Sequence, residues 1–240
     1  MIILAFDSTA RVASVAVTDG DRPLGKFDID NGLTHSELLL PMAESLLEKL
    51  KISINDIELL AATVGPGSFT GVRIGAALVK GLALSRNIPT VAVSTLEALA
   101  ENLSGISGIV VPVMDARRGQ LYTAIFNSSE SGLQRLTDDM AISAEELSEL
   151  LSQYSGENIY LVGDGYSVAK EALSSLGTKL SKTPRLLIDQ SAYSCAAVAK
   201  RKYERGEVTP DADLKPTYLR VPQAERERLE REKQHKEISI

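Results

Sequence analysis

Asp7-Ser8-Thr9 closes the first apolar run of the chain. A carboxylate at a strand end can hold a hydrated Mg2+, and turn N–H groups beside two hydroxyls can face a phosphate. The same residues suit an Asx-type turn, in which Asp7 caps its own backbone and does no chemistry. Residues 65–71, Gly-Pro-Gly-Ser-Phe-Thr-Gly, offer an anion site at the start of a helix. They lack the Lys-Ser/Thr of a Walker A loop and the spacing of a dinucleotide fingerprint. A strand-to-helix turn that needs glycine only for positive φ is the plainer reading. His35 lies beside Ser36 and Glu37, but neighbours in sequence rarely take triad geometry, and it reads as a helix-start histidine. Cys195, in Tyr-Ser-Cys-Ala-Ala, reads as helix core and not as a nucleophile. Arg117-Arg118-Gly119 is a basic hairpin tip, either solvated or turned to an acidic partner or RNA phosphate.

Around these residues lie 240 positions, 44% hydrophobic and 24% charged, enough for one large or two modest domains with a real core. Aromatics are 5% and Trp is absent, which argues against a stacking platform for single strands. The net charge of −6 makes a poor stand-alone binder of tRNA or DNA, so a partner is expected to supply positive surface. One cysteine and two histidines exclude an internal disulfide and a Cys/His zinc site, and no metal site is expected. The N-terminus has no basic n-region, and no stretch approaches the roughly 20 apolar residues of a membrane span. A soluble, cytoplasmic protein is expected.

Apolar residues 2–6, alternating residues 12–17 and residues 23–29 predict a meander of strands. A helix follows from Thr34 or Ser36, with Leu39, Met42, Ala43, Leu46, Leu47 and Leu50 on one face; Leu38 and Leu40 exceed that stripe and hint at a second contact. Residues 59–64 predict a buried strand running into a helix that ends near Arg86. Gly71, Gly75, Ala76, Ala77 and Gly81 keep this helix slim, for internal packing or for a partner. Residues 89–93 predict a strand, and Ser94 and Glu97 have capping-box spacing for a third helix. The pattern then restarts. Val111-Pro112-Val113-Met114-Asp115 matches Ile3-Leu4-Ala5-Phe6-Asp7, and a strand over 120–126, a helix near 144–153, a strand at 159–162, a turn at Gly163-Asp164-Gly165 and helices over 167–176 and 191–205 follow. This predicts an internal duplication: a first lobe over 1–103, a second over 104–221, and a charged tail over 222–240. Tail pairs such as Glu227 with Arg231 and Glu232 with Lys236 suit helix contacts, and His235 is solvated there.

Taken in order, five stretches resemble one family. They are Ile3-Leu4-Ala5-Phe6-Asp7-Ser8-Thr9, His35-Ser36-Glu37-Leu38-Leu39-Leu40-Pro41, residues 65–75, Val93-Ser94-Thr95-Leu96-Glu97-Ala98-Leu99 and Met114-Asp115-Ala116-Arg117-Arg118-Gly119. The family is TsaB (YeaZ), of bacterial tRNA threonylcarbamoyladenosine synthesis, and the resemblance runs to Pro216-Thr217-Tyr218-Leu219-Arg220. It implies an α/β fold of the actin-like, sugar-kinase and Hsp70 ATPase kind, with two RNase-H-like lobes. It implies a non-catalytic platform that binds and activates a catalytic paralogue, TsaD, together with an ATPase, TsaE. That complex modifies the adenosine beside the anticodon of tRNAs reading ANN codons. Where the catalytic paralogue carries His-x-x-x-His, this chain has Thr95 and Leu99; neither replaces an imidazole, so the metal site is expected to be gone.

The resemblance places subunit pairing on the helices over residues 36–50 and 69–84, with Leu39, Met42, Leu46, Gly71, Arg73, Gly75 and Val79 as expected interface residues. A homodimer that exchanges for a heterodimer is expected, with tRNA held only through the complex and no membrane partner. No catalytic residue and no tightly bound cofactor is expected; ATP or ADP would sit at the junction with the paralogue, with Asp7, Ser8 and Thr9 as weak contacts. The rival reading is an actin-fold ATPase or small-molecule kinase using Asp7 for Mg2+ and Asp115 from the second lobe. A third is a direct tRNA-binding module using Arg117 and Arg118.

Overall fold

The computed structural model describes residues 1–220. The charged segment 222–240, with the expected pairs at Glu227 and Glu232 and with His235, lies outside the described residues.

The apolar run at the N-terminus forms β1 (Ile2–Asp7), which pairs antiparallel with β2 (Ala13–Asp19), itself paired with β3 (Arg22–Ile29). Helix α1 (His35–Leu50) starts at Thr34, whose N–H donates to Glu37 Oε2 at 3.1 Å. Strand β4 (Leu59–Thr63) adds parallel to β1, helix α2 (Phe69–Leu84) follows, and β5 (Thr90–Val93) adds parallel to β4. The first sheet is thus ordered β3-β2-β1-β4-β5. Strands β1, β4 and β5 are buried on both faces, which explains why they read as continuous apolar runs, whereas the edge strand β3 is mostly exposed or half-buried. Leu4, Phe6, Val15 and Leu60 meet α1 and α2 on one face.

Helix α3 (Thr95–Glu101) is capped by Ser94, whose Oγ accepts from Glu97 N and donates to Asp139 (2.7 Å). Strand β6 (Gly108–Asp115) then centres the second sheet. The stretch expected as one strand over 120–126 forms two, β7 (Gln120–Thr123) and β8 (Phe126–Ser129), in one register against β6. The ladder breaks where Pro112 stands opposite Ala124, because proline has no N–H to offer. Ile125 N instead donates to Thr137 Oγ1 at 2.9 Å. Strands β9 (Gly132–Arg135) and β10 (Met140–Ser143), absent from the sequence expectation, pair with β8 and β7. Helix α4 (Ala144–Ser152), parallel strand β11 (Ile159–Val162) beside β6, helix α5 (Tyr166–Ser175) and helix α6 (Ala192–Glu204) complete the described chain.

Outward from its centre, each sheet repeats the same plan: an antiparallel meander on one side of the first strand, a parallel strand on the other. A cut at residue 103 separates the two sheets but not the helices that cover them. Helix α6 packs Ala192, Cys195, Ala196 and Ala199 against Ile3, Ala5 and Ala61 of the first sheet. Helix α3 turns Leu96 and Leu99 to Val110, Met114 and Phe126 of the second. Arg201 clamps α6 to α3 through both oxygens of Glu101 (2.8 and 2.7 Å). Asn102, at the crossing, donates to the Leu187 and Asp189 carbonyls and accepts from Ser194 Oγ (2.6 Å).

The C-terminal residues return to the first lobe. Thr209 bridges Thr90, Leu214 is fully buried among α2 and β4 residues, and Thr217 N donates to Val64 O at 2.7 Å. Leu214→Ala is therefore expected to cost about 2–5 kcal/mol of folding free energy. The shift of the urea midpoint measures it, and an unchanged midpoint would show that this return contributes little.

Candidate functional site

Asp7 ends β1 and is 1% exposed. Its Oδ1 accepts from Thr9 N (3.0 Å) and Thr9 Oγ1 (2.6 Å), the Asx-type turn that the sequence left as one of two readings. Burial pushes the Asp7 carboxyl above its ordinary range, and the Thr9 donors offset this only in part. Ser8 Oγ donates to Gly71 O at 2.9 Å. The hydroxyls of Ser8 and Thr9, expected near a nucleotide, are thus engaged within the chain.

The second lobe repeats the device. Asp115 ends β6, and its Oδ1 accepts from Arg117 N at 2.7 Å. Arg117, Arg118 and Gly119 all take left-handed φ (65°, 56° and 73°), so this hairpin tip is tightly wound. Arg220 Nη1 donates to Ala116 O at 2.9 Å and ties the chain's return to it. The turns after β4 and after β11 also match: Gly65 and Gly163 have φ of 117° and 110°, and a side chain on either would strike backbone. Asp164 falls where the first lobe has Pro66.

These turns enclose a cleft of about 590 Å³ between the lobes, lined by Thr9, Arg11, Ser68, Asp115, Arg117 and Asp164 among others. Arg11 pairs with Asp30 (2.8 Å) and Arg117 with Asp115 (3.5 Å), exposed ion pairs that set a carboxylate beside each cation. Asp164 is exposed at the cleft, yet enough protein stands around its carboxyl to push it up to about 6, with the like charge of Asp115 as the second cause. Among the described residues, no group of three or more His, Cys, Asp and Glu side chains is placed to hold a metal ion.

The residues expected at a subunit interface are largely inside this chain. Leu39, Met42, Leu46 and Val79 belong to the first-lobe core, each less than 5% exposed. Gly71 and Gly75 face the β1–β2 turn: a side chain at Gly71 would overlap the Ser8 carbonyl, and one at Gly75 would stand 2.6 Å from Ser8 Oγ. Of that set only Arg73 is exposed. Its guanidinium lies 3.7 Å from the Phe69 ring centre and its Nε donates to Tyr218 Oη (2.8 Å), while Tyr218 stacks on Phe69 (4.9 Å). The helical period that carries small residues inward also carries apolar ones outward. Ile74, Leu78 and Leu82 are half-buried, Ala77 and Gly81 are exposed, and Leu84 is 74% exposed.

His35 Nε2 lies 2.7 Å from the Ala10 carbonyl, so that nitrogen carries the proton and anchors the start of α1; among the described residues no serine hydrogen-bonds to the ring. Cys195 is buried, and burial pushes its thiol well above its ordinary range, which keeps it protonated. Thr95 and Leu99 are buried. Two features escaped the sequence reading: Asp164, seen only as part of a turn, and the Tyr218–Arg220 contacts.

Two duplicated lobes that face each other across a cleft define the actin-like class of folds shared by sugar kinases and Hsp70 ATPase domains. The activator of the 2-hydroxyisocaproyl-CoA dehydratase from Clostridium difficile, solved with bound ADPNP, matches at TM-score 0.50 and 13% identity over 86% of this chain and 97% of that one. YeaZ from Pseudomonas aeruginosa matches at TM-score 0.75 and 23% identity, over 91% and 99%. In sequence, a family model described as TsaD, tRNA N6-adenosine threonylcarbamoyltransferase, covers residues 32–228. The Bacillus subtilis tRNA threonylcarbamoyladenosine biosynthesis protein TsaB is 32% identical over 97% of this chain and 100% of its own length. The chain belongs to the TsaB family, and with it to the synthesis of tRNA threonylcarbamoyladenosine.

Because its folded-state pKa lies above the usual 3.8, Asp164 holds a proton between roughly pH 4 and 6 that the unfolded chain releases. Its contribution to stability therefore falls as pH rises through that window. Asp115→Asn is expected to lower the Asp164 midpoint, without restoring 3.8, because burial is the larger cause. A carboxyl 13C NMR titration reads it; an unmoved midpoint would show that the two carboxylates do not sense each other.

Proposed function

We propose that this chain is the platform subunit of the threonylcarbamoyladenosine complex: it pairs with a TsaD-like catalytic paralogue, works with a TsaE-like ATPase and performs no chemistry itself. The observation that carries the reading is the outer face of α2, where Ile74, Ala77, Leu78, Gly81 and Leu84 leave apolar surface without cover in the single chain. Leu40, on the neighbouring helix α1, is also 42% exposed. Gly81 has open space around it, so another helix can approach closely there. The same face serves an isologous homodimer when the paralogue is absent. The engaged hydroxyls of Ser8 and Thr9 and the sealed carboxylate of Asp7 support a role without catalysis, as do Thr95 and Leu99 where the paralogue family has metal ligands. An ATPase working through Asp7 would first have to open that turn. Nucleotide and tRNA enter this reading through the assembled complex, in the cytoplasm; among the described residues no helix is long and apolar enough to cross a membrane.

Light-scattering mass after size exclusion, on the chain alone and mixed with the paralogue, tests the proposal. A homodimer that converts to a one-to-one heterodimer is expected, and a monomer that ignores the paralogue overturns it. Gly81→Arg/Leu84→Arg is expected to weaken both pairings roughly a hundredfold, about 2.7 kcal/mol, with the circular dichroism of the folded chain unchanged. Gly75→Leu is a different test: it is expected to lower the thermal midpoint, because Ser8 occupies the space.

A further inference from the structure

The second lobe carries a basic pocket that neither the inter-lobe cleft nor the α2 face explains. It has a volume of about 350 Å³ and lies between α5 and the segment that runs back along β11. That segment is held by Ser181 N donating to Ile159 O (2.8 Å) and Thr183 Oγ1 donating to Leu161 O (2.7 Å). The lining includes Lys170, Lys182 and Arg185 and contains no carboxylate. Lys170 and Lys182 make no ion pair or hydrogen bond among the described residues, and Arg185 shares its charge with Asp189 at 3.3 Å, outside the lining. Lys179 is exposed beside them in sequence. In a chain of net charge −6, this leaves a local excess of positive charge without internal partners. The floor is not bare: the Tyr166 ring is half-buried there, with Lys170 Nζ 5.6 Å from its centre, and Leu180 lies beside it.

Lysine ammonium groups bind phosphate as point charges, and an aromatic ring among them accepts a sugar or base. We propose that this pocket is a contact site for the phosphodiester backbone of RNA, used by the tRNA on which the complex acts. The tRNA as occupant rests on the preceding functional reading; the phosphate chemistry does not. The pocket belongs to the second lobe and the pairing face to the first, so a chain paired through α2 keeps it available. It also answers how a chain this acidic can approach tRNA at all: binding is local, weak in isolation and strongly dependent on salt.

The test uses the intact, isotope-labelled chain and a short anticodon stem-loop RNA at low salt. Amide shifts are expected to cluster over residues 166–170 and 180–185. The logarithm of the affinity is expected to fall against the logarithm of salt with a slope of about −2 to −3, from roughly 0.7–0.9 per phosphate for three cations. K170E/K182E is expected to weaken RNA binding at least tenfold with an unchanged thermal midpoint. Shifts confined to other surfaces, or unaltered binding by K170E/K182E, would overturn the proposal. So would inorganic tripolyphosphate shifting these amides while RNA does not, which would assign the pocket to a free anion. Light-scattering mass with the catalytic paralogue, run on the same variant, keeps the outcomes apart: loss of RNA binding with pairing intact supports the phosphate site, and failure of the natural chain to pair sinks only the platform reading.

Discussion

The approach of α2 to the β1–β2 turn is the contact on which the first lobe depends. Three glycines, Gly67, Gly71 and Gly75, lie against Thr9 and Ser8 with no room for a side chain. Ser8 Oγ closes the contact by donating to the Gly71 carbonyl. With the helix seated this deeply, Asp7 is buried, its Oδ1 held by Thr9 and its Oδ2 without a hydrogen-bond partner among the described residues. The hydroxyls that might have reached a ligand are used to hold the helix. The opposite side of α2 carries Ala77, Gly81 and Leu84 exposed, beside Ile74, Leu78 and Leu82, which are only half-buried against the core. One close contact thus engages the hydroxyls of the β1–β2 turn and sets which side of α2 faces outward.

The second lobe keeps the plan and relaxes the details. Asp115 repeats the turn of Asp7, and Gly163 repeats the conformation of Gly65. Proline at position 112 splits the partner strand, and no named strand matches β5 among the described residues. The segment over 178–184 takes that place with one backbone and one side-chain hydrogen bond to β11. Looser edge pairing leaves space beside α5, and that space is where the lysines gather. Divergence between the lobes therefore runs along physical lines: the tight lobe presents apolar surface, the loose one charge.

Much of the fold was legible in the residues. Continuous apolar runs gave the central strands, Ser94 and Thr34 marked helix starts, and the match of residues 111–115 with 3–7 gave the duplication. The Asp7 turn was legible as one of two readings, because Asx chemistry depends only on neighbours in sequence. Which way the stripes of α1 and α2 face was not. A stripe at helical spacing carries no sign that says whether it faces in or out, and Leu39, Met42, Leu46 and Val79 face in. The Tyr218 stack on Phe69 and the Arg220 contact with Ala116 join residues more than a hundred positions apart, and no local pattern encodes them. Asp164 was hidden for a related reason: its shifted carboxyl arises first from the protein that packs around it and then from Asp115, and both come near only after folding.

The crossing of α3 and α6 separates the unit that was duplicated from the unit that folds. Each half of the chain makes its own sheet and then sends its last helix to cover the sheet of the other half. Cut between the halves, the first sheet would lose its roof at Ala192–Ala199 and the second would lose the leucines of α3. The boundary of the repeat is therefore not a boundary of packing: each half leaves one face of its sheet to a helix of the other.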